Sequence, residues 1–407
     1  MAHFDLPDRE FWLAKESEIK SGKTTDKYFV NTKEVLRKNK IHSEVVMEVY
    51  ARDLPYPQNW GVLTGVYEVA KLLEGIPVDV WAFDEGSVFL ADATTALYEP
   101  LLVIAGKYEA FAEYETALLG LLTSSTSIST RAARFRVSAG DKLLMSFGTR
   151  RVHPALAPMV ERACYLAGFD GVSNVLGAEL LGLKASGTMP HALVQIIGDQ
   201  EKAWGLFDKT VSRDQPRIPL VDTFWDEKTE AIRAFEVLGK NLWGVRLDTP
   251  SSRRGNFRKI IEEVRWELDI RGGNHVKLIA SGRLDETSIS ELRELVDGFG
   301  VGTSVAYPPV IDLSAKIVEV KEGGRTYFRA KRGGLGGRKA VYRSRVGFND
   351  VVTLQGNRGP SGTRTLLSPL MLRGRITRKY EGIESIRTRV QKDLRQLQGA
   401  APTLKRG

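Results

Sequence analysis

Between residues 142 and 304 short apolar segments return at near-regular intervals, and no other feature limits the fold as tightly. They fall at residues 143–147, 169–175, 184–188, 218–223, 242–247, 276–280 and 298–303. Helix-length stretches such as 228–240 and 255–269 lie between most of them. Alternating strands and helices predict a parallel sheet with right-handed crossovers. Seven repeats in this span fit a small, irregular α/β barrel better than an eight-unit barrel of about 250 residues. Each predicted strand leads into a polar residue: Arg150, Ser173, His191, Asp222, Asp248, Ser281 and Thr303. Ligands in parallel α/β folds bind beyond the C-terminal strand ends, so these seven residues are the first candidates for a site.

The flanking chain reads differently. Residues 45–52 alternate as a strand, 59–73 have helical spacing up to Gly75, and 78–83 and 88–90 are further strands. Residues 101–123 read as a long helix, and 124–138, rich in Ser, Thr and Arg, as the passage to the barrel. After Pro308-Pro309 strands return at 317–320, 326–330 and 340–343. The predicted organisation is an α+β sandwich domain from 1–120 and 310–345, a barrel over 121–309, and a small basic C-terminal extension, 346–407. Within that extension 381–396 reads as an amphipathic helix, with Ile383, Ile386, Val390, Leu394 and Leu397 on one face. Such a seam packs on its own body or a subunit more often than on a membrane.

Charge is unevenly distributed. The net charge is +9, yet residues 321–407 hold 21 Lys and Arg against 5 Asp and Glu, a net +16. The preceding 320 residues, with 38 basic and 45 acidic side chains, carry −7. That asymmetry points to a local polyanion site rather than to nucleic acid as a partner. No apolar run approaches the roughly 20 residues that span a bilayer, and the first eight residues lack a signal-peptide pattern. With one cysteine, Cys164, no internal disulfide can form, which fits a reducing cytoplasm.

The strand ends carry recognisable chemistry. Phe147-Gly148-Thr149-Arg150-Arg151 sends two guanidiniums beyond a strand, where a planar fork suits a carboxylate or phosphate. Ser281-Gly282 and Gly300-Val301-Gly302-Thr303-Ser304 are glycine-punctuated ends that let backbone amides approach a phosphate, with hydroxyls beside them. The alternative is two tight turns; Asp285 reads as an N-cap in either case. Asp222 and Asp248 can hold ribose hydroxyls directly or Mg2+ through water, or simply cap the helices that follow. Ser186-Gly187-Thr188-Met189-Pro190-His191 brings a histidine to a strand end, and unaided that histidine reads as structural. Gly333-Gly334-Leu335-Gly336-Gly337 lacks the Gly-Lys-Ser/Thr and following helix of a P-loop. Zinc spacing and a Ser-His-Asp order are both missing.

Taken together these motifs resemble the nicotinate phosphoribosyltransferases, type II phosphoribosyltransferases of NAD biosynthesis. The matches begin at Thr25-Asp26-Lys27-Tyr28-Phe29 and continue through Phe147–Arg151, Ser173-Asn174, Gly187-Thr188…His191, Val245-Arg246-Leu247-Asp248 and the two glycine stretches, in family order. Residues 331–343 match a later Gly-Lys-rich strand pair more loosely. Some short, archaeal-type members carry a four-cysteine knuckle near the C-terminus, and this chain has no cysteine there. Pro190 stands where alanine is usual, the other departure.

The resemblance implies a glycosyltransferase that makes nicotinate mononucleotide and pyrophosphate from nicotinate and phosphoribosyl pyrophosphate, coupled like a ligase to ATP hydrolysis. It implies His191 as the phosphorylated residue, Phe147 and the Tyr28 of a second subunit around the pyridine, and Arg150 at the ring substituent or the phosphate, with Arg150 or Arg151 free to pair with the acid. Arg246 with Mg2+ faces the leaving pyrophosphate, Asp222 and Asp248 the ribose side, and Ser281, Gly282, Gly300, Gly302, Thr303 and Ser304 the 5′-phosphate. A homodimer or higher oligomer with shared sites follows. In nicotinamide-using relatives an aspartate takes the place of Ser173, so a neutral serine implies a preference for the acid. Two alternatives remain: a quinolinate or nicotinamide phosphoribosyltransferase of the same fold, and a nucleic-acid-binding protein using 321–407 as a basic arm.

Overall fold

The computed structural model describes residues 8–250, 252–399 and 401–407. Residues 1–7, the bulk of the stretch read for a signal peptide, lie outside them. The chain forms two compact units: Met1–Thr126 with Val310–Gly382 and Gly399–Gly407, and Ser127–Pro309 with Ile383–Gln398.

The second unit is the barrel. Five strands make a parallel sheet in the order Gly171–Val172, Leu143–Ser146, Gly298–Val301, Lys277–Ser281 and Gly244–Leu247. Two less regular segments complete the wall. Arg217 and Leu220 bridge in parallel to Leu242 and Arg246. The Ser186 amide donates to the Val172 carbonyl (2.8 Å) and the Met189 amide to that of Ile218 (3.4 Å). Followed in chain order, the seven segments run round a circuit that returns to Leu143–Ser146, the irregular barrel expected from the sequence. Prolines at 190, 216 and 219 account for the broken ladder at 184–221, because none has an N–H to donate.

Wall residues such as Leu144, Val172, Val221, Val245, Leu278, Ile279 and Phe299 are fully buried. Continuous apolar runs are what strands covered on both faces require. Several of the crossover helices start on side-chain caps. Asp199, Asp226, Asn256 and Asp285 each accept from an amide in the first turn of Gln200–Thr210, Glu227–Leu238, Phe257–Asp269 and Glu286–Leu292 respectively. Asp285 therefore caps, as read.

The first unit is built on an antiparallel seven-stranded sheet. Its order is Arg325–Phe328, Leu313–Glu322, Glu44–Ala51, Leu102–Lys107, Val78–Ala82, Ser368–Leu372 and Arg375–Ile376. Two readings of this region need correction. Within 101–123, Leu102–Lys107 is a central strand, and the long helix is Glu115–Ala139, which takes in the Ser/Thr-rich passage. A strand buried on both faces has no alternation, so its apolar run imitates a helix. Within 59–73, Trp60–Val62 is a strand and only Val66–Leu73 is helical. The Ser/Thr run is tolerated because its hydroxyls are engaged: Thr126 Oγ1 donates to the Thr64 carbonyl (3.1 Å), and Ser125 Oγ meets Thr64 Oγ1 at 2.7 Å.

Residues 346–407 are not a separate extension. Asn349–Leu354, Thr363–Thr365 and Thr403–Arg406 join Lys339–Ser344 in a second, four-stranded sheet of the first unit. Some of the basic tract is internal. Lys339 Nζ is buried against Glu48 Oε2 (2.8 Å), whose carboxylate also accepts from Tyr98 (2.9 Å), and Arg343 forks onto Asp350. Helix Ile383–Leu397 belongs instead to the barrel unit, with Ile386, Val390, Leu394 and Leu397 buried. No helix among the described residues is long and apolar enough to cross a membrane.

Arg387 fastens that helix. Its guanidinium donates to the carbonyls of Tyr165 and Phe169 and to Asp170 Oδ1 (3.1 Å), over the Tyr165 ring. Arg387→Ala leaves two carbonyls without this donor, at an expected cost of about 2–4 kcal/mol in unfolding free energy. Arg387→Lys recovers little of it, since an ammonium cannot reproduce the planar fork. Urea midpoints measure both; an unchanged midpoint contradicts the role.

Candidate active site

At the mouth of the barrel the strand-end residues meet as one network. Arg246, near the end of Gly244–Leu247, donates to Thr188 Oγ1 and lies 3.5 Å from Asp248 Oδ2. Asp248 Oδ1 accepts from Ser281 Oγ at 2.7 Å. Gly282, at φ +86°, turns the chain there in a conformation that favours glycine. Arg254 holds this turn by donating to the carbonyls of Ser281 (2.9 Å), Gly282 (2.7 Å) and Thr249 (3.2 Å).

His191 stands between the two acids. Its Nε2 lies 3.8 Å from Asp248 Oδ2 and 3.9 Å from Asp222 Oδ2, and its Nδ1 is 3.1 Å from Thr223 Oγ1. Neither acid caps a helix, since Asp226 and Asn256 do that. Asp222 is the unusual member. Its side chain is 4% exposed, and neither oxygen has a hydrogen-bond partner. The loop it opens is clamped from below: Glu230, fully buried, accepts the amides of Thr223 (3.1 Å), Phe224 (2.8 Å) and Trp225 (2.6 Å).

Phe147 follows Leu143–Ser146, and its ring lies 5.5 Å from the Arg246 guanidinium carbon. Arg150 and Arg151 sit in the exposed 3-10 turn Thr149–Arg151, and Arg150 is near enough for its charge to act on Arg246. Arg151 and Thr303 make no contact that ties them to the network. Ser304 Oγ donates to the Leu284 carbonyl (2.7 Å), so this hydroxyl and that of Ser281 are already engaged by the protein. What the two loops offer a phosphate is chiefly backbone amide, notably at Thr303 and Ser304, since the amides of Val305 and Ala306 already donate to the Gly302 carbonyl (3.2 Å each).

Ser173 does not cap the helix that follows it. Asn174 caps Val175–Leu180, while the Ser173 amide (3.1 Å) and hydroxyl (3.4 Å) both reach Glu161 Oε1. Asn174 donates its amide to the same oxygen at 2.9 Å. Glu161 thus serves one strand-end loop as Glu230 serves another. Tyr28 opens helix Lys27–Lys38 in the first unit, 60% exposed, its ring 4.3 Å from that of Phe29.

Glu161, Glu230, Arg254 and Thr223 carry no role in the sequence reading, and Thr188 enters it only as part of the motif that ends at His191. The signal for the two glutamates was present: each interrupts the buried face of its helix, Glu161 among Ala157, Val160 and Cys164, and Glu230 beside Ala231 and Ala234. An acid on an apolar stripe needs a partner, and strand-end amides supply it.

The charges follow from this packing. Burial, with Asp248 nearby, pushes Asp222 up to about 6 against the pull of His191 and Arg246. Burial works against the charge of Asp248 as well, but His191, Arg246 and Ser281 hold it below the usual carboxylate range. The Asp248 carboxylate in turn, with Asp222, raises the His191 imidazolium despite its partial burial. Among the described residues no three His, Cys, Asp or Glu side chains form a ready metal cage. A divalent cation held by Asp222 and Asp248, and completed by substrate oxygens, fits the unpartnered Asp222 oxygens.

A carboxyl whose pKa is raised by folding costs stability as pH climbs from its unfolded value near 3.8 through about 6. Asp222→Asn should therefore stabilise the unligated protein at pH 8 by about 2–3 kcal/mol, a gain that fades toward pH 4. Denaturant unfolding at the two pH values measures it. No gain at pH 8 contradicts the description of Asp222.

Comparison with known proteins agrees with this architecture. Residues 26–126 match the family model for the quinolinate phosphoribosyl transferase N-terminal domain, and residues 128–316 that for its C-terminal domain. A nicotinate phosphoribosyltransferase of Mycobacterium tuberculosis is 30% identical over 81% of this chain and 80% of its own length. That of Bacillus subtilis is 29% identical over 78% and 72%. A solved structure described as a nicotinate-nucleotide pyrophosphorylase from Pyrococcus furiosus is 49% identical, covers 96% of this chain and 99% of that one, and superposes with a TM-score of 0.91. Human nicotinic acid phosphoribosyltransferase shares the fold at 19% identity, with a TM-score of 0.70 over 92% and 94%. By these matches and by its barrel and sandwich units, the chain belongs to the nicotinate phosphoribosyltransferase family of type II phosphoribosyltransferases.

Proposed function

We propose that the chain joins nicotinate to phosphoribosyl pyrophosphate, releasing nicotinate mononucleotide and pyrophosphate, with ATP hydrolysis driving the reaction. The observation that carries this reading is the meeting of Phe147, Arg246, Asp248, His191 and Asp222 at one barrel mouth. As pyrophosphate leaves C1 of the ribose, the carbon gains oxocarbenium character, and catalysis is mainly positioning and charge stabilisation. Arg246 faces the leaving group, with lysines or arginines of a partner subunit. Asp222 and Asp248 hold the ribose side and the metal. Bound Mg2+ would supply positive charge to the pyrophosphate oxygens as they depart.

The 281–282 and 302–304 loops receive the 5′-phosphate, largely through amides. Phe147 and a partner subunit's tyrosine equivalent to Tyr28 bracket the pyridine, and Arg150 or Arg151 meets its carboxylate. Ser173 keeps that end of the pocket neutral. His191 accepts the γ-phosphoryl group of ATP; with Thr223 on Nδ1, Nε2 is the nitrogen turned to the acids. A cytoplasmic setting is part of the proposal, supported by a single, buried thiol.

A second reading, quinolinate as the pyridine, is favoured by the names of the two matching family models. Product formation from nicotinate, nicotinamide and quinolinate, each with Mg2+ and with or without ATP, separates the readings. Nicotinate mononucleotide formed fastest from nicotinate, and faster with ATP, is the expected result. Turnover of quinolinate with no response to ATP overturns it.

Two further outcomes follow from the residue roles. ATP should label the protein with an acid-labile, base-stable phosphoryl group that His191→Ala abolishes, leaving slower, uncoupled synthesis; label persisting in the variant removes His191 from that role. Mixing inactive Tyr28→Ala and Arg150→Ala chains should restore up to about a quarter of the sites by random pairing in a symmetric dimer. A fully active monomer contradicts the shared site.

A further inference from the structure

Gly300 sits in Gly298–Val301 opposite Met145 on one side and Ser281 on the other. Its backbone conformation does not call for glycine, since it is outside the left-handed region. Its surroundings do. A β-carbon there would come within 2.3 Å of Phe147 Cε2, 2.5 Å of Phe147 Cδ2 and 3.3 Å of Ser281 Cβ. The ring of Phe147 therefore lies directly on the Gly300 backbone, in the space a side chain would fill.

Other contacts fix the same ring. The Phe147 amide donates to the Val301 carbonyl at 2.8 Å, anchoring the residue to the strand that carries Gly300. Arg246, the ring's cation–π neighbour, is itself tied to Thr188 and Asp248. We propose that Gly300 is a positioning residue for the pyridine substrate: its missing side chain is the seat of the Phe147 ring and sets the plane on which the pyridine stacks. This rests on the proposed role of Phe147, and it moves Gly300 from phosphate binding to pyridine recognition.

A methyl group at 300 must displace the ring, because overpacking in a filled wall forces side chains off their rotamers. Steady-state constants for both substrates, measured in the full-length protein, read the consequence. In Gly300→Ala the KM for nicotinate should rise about tenfold or more, while that for phosphoribosyl pyrophosphate changes less than about twofold. In a Phe147→Leu background Gly300→Ala should add less than about twofold to the nicotinate KM, because the nearest clashing atom, Cε2, is gone and leucine's branched end can turn aside where a planar ring cannot. If Gly300→Ala folds poorly, Phe147→Leu in the same chain should restore soluble, cooperative unfolding.

A rise confined to the phosphoribosyl pyrophosphate KM, equal rises for both substrates, additive effects in the double variant, or no rescue of folding would each overturn the proposal. Failure of the underlying reading shows separately, as a wild-type protein that does not use nicotinate. If the wild type uses quinolinate instead, the same split applies to the quinolinate KM.

Discussion

The buried carboxylate of Asp222 sets the terms for the mouth of the barrel. It is nearly inaccessible, its oxygens have no hydrogen-bond partner, and its nearest cationic neighbour is an imidazole 3.9 Å away. A carboxylate left so is costly in an interior. The surrounding structure spends considerable polar material to keep it there. Glu230 grips three successive amides of the loop beyond it, and Thr223 from that loop meets His191. His191 is shared with Asp248, which answers to Arg246 and Ser281. A neutral side chain in place of Asp222 should relieve that cost, at the loss of the place a cation would complete.

That arrangement explains why the barrel is irregular on one side. The regular five-stranded sheet carries Phe147, Arg246, Ser281 and Gly300, residues whose positions depend on register. The segments at 184–189 and 217–221 carry Thr188, His191 and Asp222, and here prolines interrupt the ladder. Freed from strict pairing, these loops can turn polar side chains inward. The few amides that remain paired, from Ser186, Met189 and Val221, still hold each segment in the wall.

Much of this was legible in the sequence for a physical reason. Strands buried on both faces read as short apolar runs, and the first polar residue after each run marks the barrel rim. All seven runs became wall segments. The same rule misleads at Leu102–Lys107, where an equally apolar strand sits in an antiparallel sheet and reads as part of a helix. The C-terminal tract defied reading because its strands are short and its basic residues face two ways: Lys339 and Arg343 inward onto Glu48 and Asp350, others to solvent. The supporting residues were hidden for another cause. Glu161, Glu230 and Arg254 act on main-chain groups distant in sequence, and only their intrusion on apolar helix faces, for the two glutamates, could have betrayed them.

Under the proposed function, Asp222 is a carboxylate that a cation arriving with substrate would complete. Thermal unfolding at pH 8, with Mg2+ and phosphoribosyl pyrophosphate added singly and together, tests this most directly. A ligand that binds only the folded state raises its midpoint by mass action. In the wild type the two together should raise the midpoint by far more than either alone, and in Asp222→Asn that joint effect should vanish. An equal joint effect in both proteins would contradict the account.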